Sequence, residues 1–195
     1  MGLTIQYSGC FNKEASLSEM ISEVKDIAEL YKWNYTIFKT PFQDELLGKE
    51  SYNQKIYGIQ FTPPLIEPIS LCFLSNGRMS SPFNLQFFGK PNTNEEDPSL
   101  YLLFIKPHYA GYEMHIIIVH LLKYLSKKYF SEFSIVDQSN YWNTEDEEAL
   151  KNKYLQNEIL TDKLEFGLKH FPILTNESIE DYIVRLLDKI NKRKI

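Results

Sequence analysis

The strongest constraint on this fold is one amphipathic helix that follows an apolar strand and a short polar loop. From Met114 to Tyr129, apolar residues recur at helical spacing and fall on one side of a helix. Leu100 to Ile105 is apolar throughout, which predicts a central strand buried on both faces. Between them lies Lys106 to Gly111, a loop of the kind in which binding and catalytic groups usually sit. The pattern predicts a sheet that is covered by this helix.

The first part of the chain has a β-α-β pattern. Apolar and polar residues alternate from Leu3 to Tyr7, as in a half-buried strand. Ser16-x-x-Glu19 forms a capping box, and the apolar stripe after it predicts a second long helix over residues 17–32. Asn34 to Phe38 is predicted to return as a strand.

The middle of the chain is rich in predicted strands and turns. Ile69 to Leu74 and Phe83 to Phe88 are apolar and flank Asn76-Gly77, a strong signal for a tight turn. A hairpin or meander is therefore predicted here. An acidic loop follows from Asn92 to Pro98.

The last part of the chain has helical patterns. Thr144-x-x-Glu147 is a second capping box, which predicts a helix through about Tyr154. Further helices are predicted over residues 158–170 and 179–190, and the last of them has a clean apolar stripe.

These patterns predict a single globular α+β domain over residues 1–195, with a helical C-terminal region over residues 144–195. A chain of 195 residues is enough for one substantial core and short for two. The sheet is predicted to be mixed or mostly antiparallel. The two long amphipathic helices, 17–32 and 113–129, are predicted to cover it.

Composition narrows the functional classes. A net charge of −5 argues against a nucleic-acid surface, because phosphate contacts need clustered Lys and Arg. Cys10 and Cys72 form no CxxC pattern and no disulfide framework, which predicts free thiols in a reducing compartment. No signal-peptide pattern and no membrane-length apolar run are present, so a cytoplasmic protein without a membrane partner is predicted. The sequence has no cofactor motif and no zinc pattern, so neither a cofactor nor a metal is expected.

The candidate binding site centres on the polar loop and the helix start after it. Lys106 could hold an anion there, beside His108, Tyr109, Tyr112 and His115. One interpretation makes His115 a general base or hydrogen-bond donor in the first helical turn. The other makes it a half-buried histidine that satisfies a loop carbonyl. Lys106 could likewise be only a lysine that extends from a strand end into solvent.

A second strand-end segment, Asp137 to Trp142, supplies further candidates. Asp137 offers a carboxylate, and Tyr141 and Trp142 could form a wall beside the first loop. The alternative is that Asp137 is a turn residue and Trp142 a cover on the core.

Four segments carry a resemblance to known proteins: Met1-Gly-Leu-Thr-Ile-x-Tyr, Phe104-Ile-Lys106-Pro-His-Tyr109-Ala, His115-Ile-x-x-Val119-x-Leu-Leu, and Asp137 with Tyr141-Trp142. Together they resemble a bacterial family of uncharacterised proteins. In that family a Lys-Thr-Gln-Tyr-Ala-like string precedes a helix that starts with His, and a Phe-Trp or Tyr-Trp pair follows a short strand. Pro107-His108 stands here in place of Thr-Gln, which is a departure from the family pattern. The resemblance names no reaction and implies as site residues Lys106, Tyr109, His115, Asp137 and Trp142.

Two functional classes follow from these observations. The one we favour is a cytoplasmic, non-enzymatic binding or interaction protein, for example of an immunity or regulatory type, that holds a protein partner or a small anionic ligand. The alternative is a small enzyme that acts on an anionic substrate. In that enzyme Lys106 binds the anion, His115 serves as base and Asp137 orients it, which requires the three side chains to converge around a pocket. The oligomeric state is not predicted.

Overall fold

The computed structural model describes residues 2–38, 52–89 and 97–192 of the chain. The chain divides into two compact units, residues 2–147 and residues 148–195. The strands of the first unit are β1 (Ile5–Phe11), β2 (Asn34–Ile37), β3 (Tyr57–Thr62), β4 (Ile69–Phe73), β5 (Met79–Ser80), β6 (Leu103–Ile105) and β7 (Phe130–Asp137). Its helices are α1 (Leu17–Leu30), α2 (Pro82–Phe88), α3 (Tyr112–Tyr129) and α4 (Tyr141–Thr144). Helix α5 (Glu147–His170) begins at the last residue of this unit, and α6 (Ile179–Lys192) belongs to the second.

The strands of the first unit form two antiparallel sheets, with the orders β6-β1-β7 and β2-β3-β4-β5. The predicted α+β class, the antiparallel pairing and the helical C-terminus are confirmed, and the strands form two sheets in place of the one sheet predicted. Helix α3 packs against β7, and α1 packs against β2 and β3. A single bridge between Cys10 of β1 and Arg78 connects the sheets.

The predicted long helices are both present. In α1, Ser16 caps the helix by accepting a hydrogen bond from the Glu19 amide at 3.3 Å. The apolar stripe that includes Met20 and Val24 is buried. The helix ends at Leu30, two residues before the predicted end. The single-domain prediction is not tested by these contacts and stays a prediction.

The prediction of a central strand over Leu100–Ile105 is wrong. Pro98–Tyr101 is a 3₁₀ turn that Asp97 caps, and only Leu103–Ile105 is a strand, at the edge of its sheet. The cause is a long-range contact: Asn84 Nδ2 donates to the carbonyls of Ser99, Leu100 and Leu102 at 2.9, 3.3 and 2.9 Å. These carbonyls are satisfied by a side chain, so the segment does not need a second strand partner.

The predicted turn at Asn76-Gly77 is present, but the prediction of a strand at Phe83–Phe88 is wrong. Gly77 has a φ of +86°, and the Leu74 amide donates to the Arg78 carbonyl at 3.0 Å, which closes the turn between β4 and β5. The later segment is helix α2, because Ser81 accepts from the Asn84 amide at 2.9 Å and Pro82 occupies the first turn. The acidic loop predicted from Asn92 to Pro98 lies mostly outside the described residues.

The predicted break between two helices near Tyr154 is wrong, since α5 is continuous from Glu147 to His170. Thr144 does not begin this helix; it ends α4, and its hydroxyl donates to the Asn140 carbonyl at 3.0 Å. In the second unit α5 and α6 are in close contact at Gly167, where a Cβ atom would lie 2.8–3.1 Å from Leu186 and Ile190 side-chain atoms. Within the described residues, no helix is long and apolar enough to cross a membrane.

Gly58 gives a test of the second sheet. Its φ is +116°, and an added Cβ would overlap the carbonyl oxygen of Leu71 on the neighbouring strand. Gly111 is a matched control, because its φ is +92° but an added Cβ meets only the flexible Glu113 carboxylate at 3.2 Å. Both Gly→Ala changes introduce backbone strain on the order of 1–3 kcal/mol, and only Gly58→Ala adds an overlap with backbone. We expect the larger loss of unfolding free energy in urea for Gly58→Ala; equal losses would contradict this packing.

Candidate functional site

Three of the predicted site residues lie together in a buried cluster. His115 Nε2 is 3.3 Å from Asp137 Oδ1 and 3.2 Å from Ser139 Oγ. The rings of His115 and Tyr141 meet edge to face, with centroids 6.3 Å apart. The side chains of His115 and Asp137 are both 0 % exposed. The interpretation of His115 as a half-buried histidine is therefore wrong, because its side chain is completely buried.

The Asp137 carboxylate is stabilised by the tight turn that follows β7. It accepts hydrogen bonds from the Ser139 amide at 2.8 Å, the Ser139 hydroxyl at 2.7 Å and the Trp142 amide at 2.9 Å. Asn140 adopts a left-handed conformation with φ of +66°, which folds these donors back onto the carboxylate. Burial alone would raise the pKa of Asp137, but the hydrogen bonds from His115, Ser139 and Trp142 hold that pKa well below its usual range.

This Ser-His-Asp cluster does not have the geometry of a nucleophilic site. The Ser139 hydroxyl donates its hydrogen to Asp137, and its oxygen accepts from the Tyr141 amide at 3.1 Å. A nucleophilic serine would instead give its proton to the imidazole and face the substrate. Ser139 is buried as well. The contacts attach the first turn of α3 and the start of α4 to the end of β7.

The remaining predicted residues lie outside this cluster, except that the backbone amide of Trp142 contacts Asp137. The side chain of Lys106 is exposed, and its amide donates to Glu67 Oε2 at 3.2 Å. His108 packs its ring on Tyr109, with centroids 3.9 Å apart, and burial lowers its pKa. Trp142 packs on Phe133 of β7. Two of the predicted aromatics differ in exposure, with Tyr109 mostly exposed and Tyr112 half-buried. The structure brings His115, Asp137 and Tyr141 together, and it does not bring Lys106 to them.

A cleft that the sequence analysis missed lies on the other face of the β6-β1-β7 sheet. Its volume is about 570 Å³. Along β1, Tyr7 points into the core, while Ser8 and Cys10 point to the cleft face. On β7, Ser134 pairs with Ser8 and Glu132 pairs with Cys10, so these residues share that face.

Arg78 completes a row of side chains across the cleft. Cys10 is the Cα partner of Glu132 on one side and of Arg78 on the other. Directly opposed residues of antiparallel strands project to the same side of the sheet. Arg78 and Glu132 therefore place opposite charges on either side of the Cys10 thiol, and all three residues line the cleft.

Local contacts fix the position of Arg78. The Asn76 side chain accepts from the Arg78 amide at 3.0 Å and donates to the Tyr101 hydroxyl at 3.4 Å. The guanidinium carbon of Arg78 lies 3.3 Å from the centroid of the Tyr101 ring, which is itself buried. The Asn76-Gly77 turn is visible in the sequence. The position of Arg78 beside β1 is not, because it depends on a pairing with Cys10 far away in the chain.

The Cys10 thiol is half-buried, and burial raises its pKa. The nearby charges of Arg78 and Lys13 oppose this shift, while Glu132 adds to it. A raised pKa keeps the thiol protonated at neutral pH, which does not favour a nucleophile.

Within the described residues, no group of three or more His, Cys, Asp or Glu side chains is placed to hold a metal ion. Comparison with protein-family models, curated proteins and solved structures finds no match to this chain. The resemblance to an uncharacterised bacterial family stays a prediction.

The buried carboxylate provides a stability prediction. Asp137→Asn removes the negative charge that accepts hydrogen bonds from His115, Ser139 and Trp142, and a hydrogen bond to a buried charged group contributes about 1.5–3 kcal/mol. Glu165→Gln is the control, because Glu165 pairs with Lys169 at 2.6 Å but both side chains are mostly exposed. An exposed pair contributes about 0–1 kcal/mol. Urea unfolding measures the free energy of unfolding of both variants. If Asp137→Asn lost as little unfolding free energy as Glu165→Gln, the complete burial of the Asp137 carboxylate would be contradicted.

The low pKa of Asp137 also predicts the response to acid. A carboxyl group whose folded-state pKa is lowered stabilises the fold fully above its unfolded pKa, roughly 4, and this stabilisation is lost as the pH falls below it. Ser139→Ala removes one hydrogen bond to the carboxylate, so the folded-state pKa of Asp137 should rise toward its ordinary value. We expect the acid-unfolding midpoint of Ser139→Ala, followed by circular dichroism, to move to higher pH. An unchanged midpoint would show that Asp137 does not control acid unfolding.

Proposed function

We propose that the protein is a non-enzymatic binding protein and that its ligand occupies the cleft around Cys10 and Arg78. The observation that carries this proposal is the cleft itself: about 570 Å³, lined by both a cation and an anion. Small-molecule sites are commonly concave, about 300–1,000 Å³ in volume, with a few well-placed polar groups. Apolar contact is available from Pro98 and Leu102, which also line the cleft.

The burial of His115 and the raised pKa of Cys10, the two groups that could act as base or nucleophile, support binding over catalysis. The imidazole of His115 is completely buried, so a substrate cannot come within hydrogen-bond distance of it in this structure. The Cys10 thiol in the cleft has a raised pKa and is not activated. The alternative is an enzyme that holds an anionic substrate between Lys106, His115 and Asp137. In the described part of the chain, Lys106 makes no contact with either of the other two residues, so the structure does not support this alternative.

The face of the β6-β1-β7 sheet that carries the cleft continues beyond it as an exposed surface, which a protein partner could contact. Gln6 pairs with Phe104 on one side and with Val136 on the other, so these three residues share one face. Phe104 is 49 % exposed and Val136 is 58 % exposed. An exposed apolar patch beside a polar cleft is typical of an interaction surface. An immunity or regulatory role, in which ligand and protein binding occur on one face, fits this arrangement.

The cytoplasm is the compartment that we propose. Cys10 and Cys72 are both free thiols, and a half-buried thiol such as Cys10 is kept reduced most easily in a reducing compartment. The net charge of −5 supports a small ligand or a protein partner over a nucleic acid.

A thermal-shift screen of metabolites tests the proposed function. Ser134→Tyr places a ring in the cleft, and Val136→Tyr adds the same ring on the same face of β7 outside the residues that line it. A ligand that binds the native state raises the melting temperature by mass action. We expect such a ligand to stabilise the wild type and Val136→Tyr but not Ser134→Tyr, and mass spectrometry should recover it chemically unchanged.

Two outcomes would contradict the proposal. Equal stabilisation of Ser134→Tyr would place the ligand elsewhere on the protein. Conversion of the ligand to a product by the wild type would show that the protein is an enzyme.

A further inference from the structure

We infer that the cleft binds a ligand that carries an anionic and a cationic group at once, namely a short peptide with free amino and carboxylate ends. This inference rests on the proposed function, since it names the ligand class of the same cleft. It is carried by the cross-strand row Arg78–Cys10–Glu132, in which a cation and an anion stand on either side of a neutral thiol.

Arg78 is suited to the carboxylate end of such a peptide. Its guanidinium stacks on the Tyr101 ring, with 3.3 Å between the guanidinium carbon and the ring centroid. A guanidinium that stacks through its face still presents N–H donors in its plane, and these match the two oxygens of a carboxylate. The contacts of Asn76 with the Arg78 amide and with Tyr101 hold this arrangement before a ligand arrives. Less conformational entropy is then lost on binding.

Glu132 is suited to the amino end. It lies on β7, beyond Cys10, and its carboxylate is exposed at the edge of the cleft. A ligand with only a negative charge would be attracted by Arg78 and repelled by Glu132. A ligand with only a positive charge would be repelled by Arg78 and attracted by Glu132. A zwitterion brings an opposite charge to each of the two groups, so the pair of charges selects against either singly charged analogue.

The size of the row matches a peptide of about three residues. Opposed Cα atoms of antiparallel strands lie about 4.5–5.5 Å apart, so the Cα atoms of Arg78 and Glu132 are separated by roughly 10 Å across Cys10. An extended chain spans at most about 3.3–3.6 Å per residue. The hydroxyls of Ser8 and Ser134 line the same cleft and can form hydrogen bonds with the peptide backbone between its ends.

Cys10 makes the occupancy of the cleft measurable in the intact protein. The chain has two cysteines, and Cys72 is fully buried while Cys10 is half-buried. A small neutral reagent such as N-ethylmaleimide should therefore label Cys10 in the native state. A ligand in the centre of the row would cover the thiol and slow that reaction.

The experiment compares three peptides of the same length. Triglycine carries both charges, N-acetyl-triglycine carries only the anion, and triglycine amide carries only the cation. We expect triglycine to slow the labelling of Cys10, and each blocked peptide to require a roughly tenfold higher concentration for the same protection. Arg78→Gln and Glu132→Gln should each weaken protection by triglycine by roughly the same factor. Arg78→Lys keeps the charge but not the planar donors and should also weaken it.

Lys13→Gln is the matched control, because Lys13 lies near Cys10 but does not line the cleft. It should leave protection by triglycine unchanged. Equal protection by N-acetyl-triglycine, or by triglycine amide, would overturn the zwitterionic ligand and leave the binding function standing. A second outcome would also overturn the ligand class alone. In it, none of the three peptides protects Cys10, but a screened metabolite raises the melting temperature of the wild type and not that of Ser134→Tyr. No protection and no cleft-dependent thermal shift would overturn both proposals.

Discussion

The arrangement of the first unit depends on one buried negative charge, the carboxylate of Asp137. A charge inside a protein is tolerated only when donors surround it, because burial without partners would be prohibitively unfavourable. The donors come from three elements: His115 of α3, Ser139 of the turn and Trp142 of α4. Each donor must keep its place for the carboxylate to remain charged. The position of α3 over β7 is therefore fixed by polar contacts as well as by apolar packing.

The same strand explains why the candidate site lies where it does. Alternate residues of β7 face opposite sides of the sheet, so Asp137 faces the covered side while Glu132 and Ser134 face the open side. The residues with the most suggestive chemistry in the sequence, His115 and Asp137, are used to hold the fold together. The cleft on the other face is lined by two serines, a thiol and two opposite charges.

The features that local sequence patterns predicted correctly are those that depend on contacts between residues close together in the chain. The Ser16 cap, the stripe of α3 and the Asn76-Gly77 turn depend on neighbours a few residues away, and all three are present. Contacts between distant residues were not predictable in this way. Asn84 holds the backbone of residues 99–102 out of a strand, and the pairing of Cys10 with Arg78 creates the cleft. For the site, only the enzymatic alternative required His115 and Asp137 to lie close together, and neither their complete burial nor the cleft on the opposite face was predicted.

The charge of the whole chain adds a reason for a ligand with two charges. At a net charge of −5 the long-range field of the protein repels anions, so a purely anionic ligand approaches Arg78 against that field. A zwitterion has no net charge and is not repelled at a distance. It meets opposite charges only at short range, where Arg78 and Glu132 lie on either side of Cys10 and screening by salt is least effective. An acidic protein with a cation and an anion on either side of Cys10 is thus better matched to a neutral ligand with two separated charges than to a simple anion.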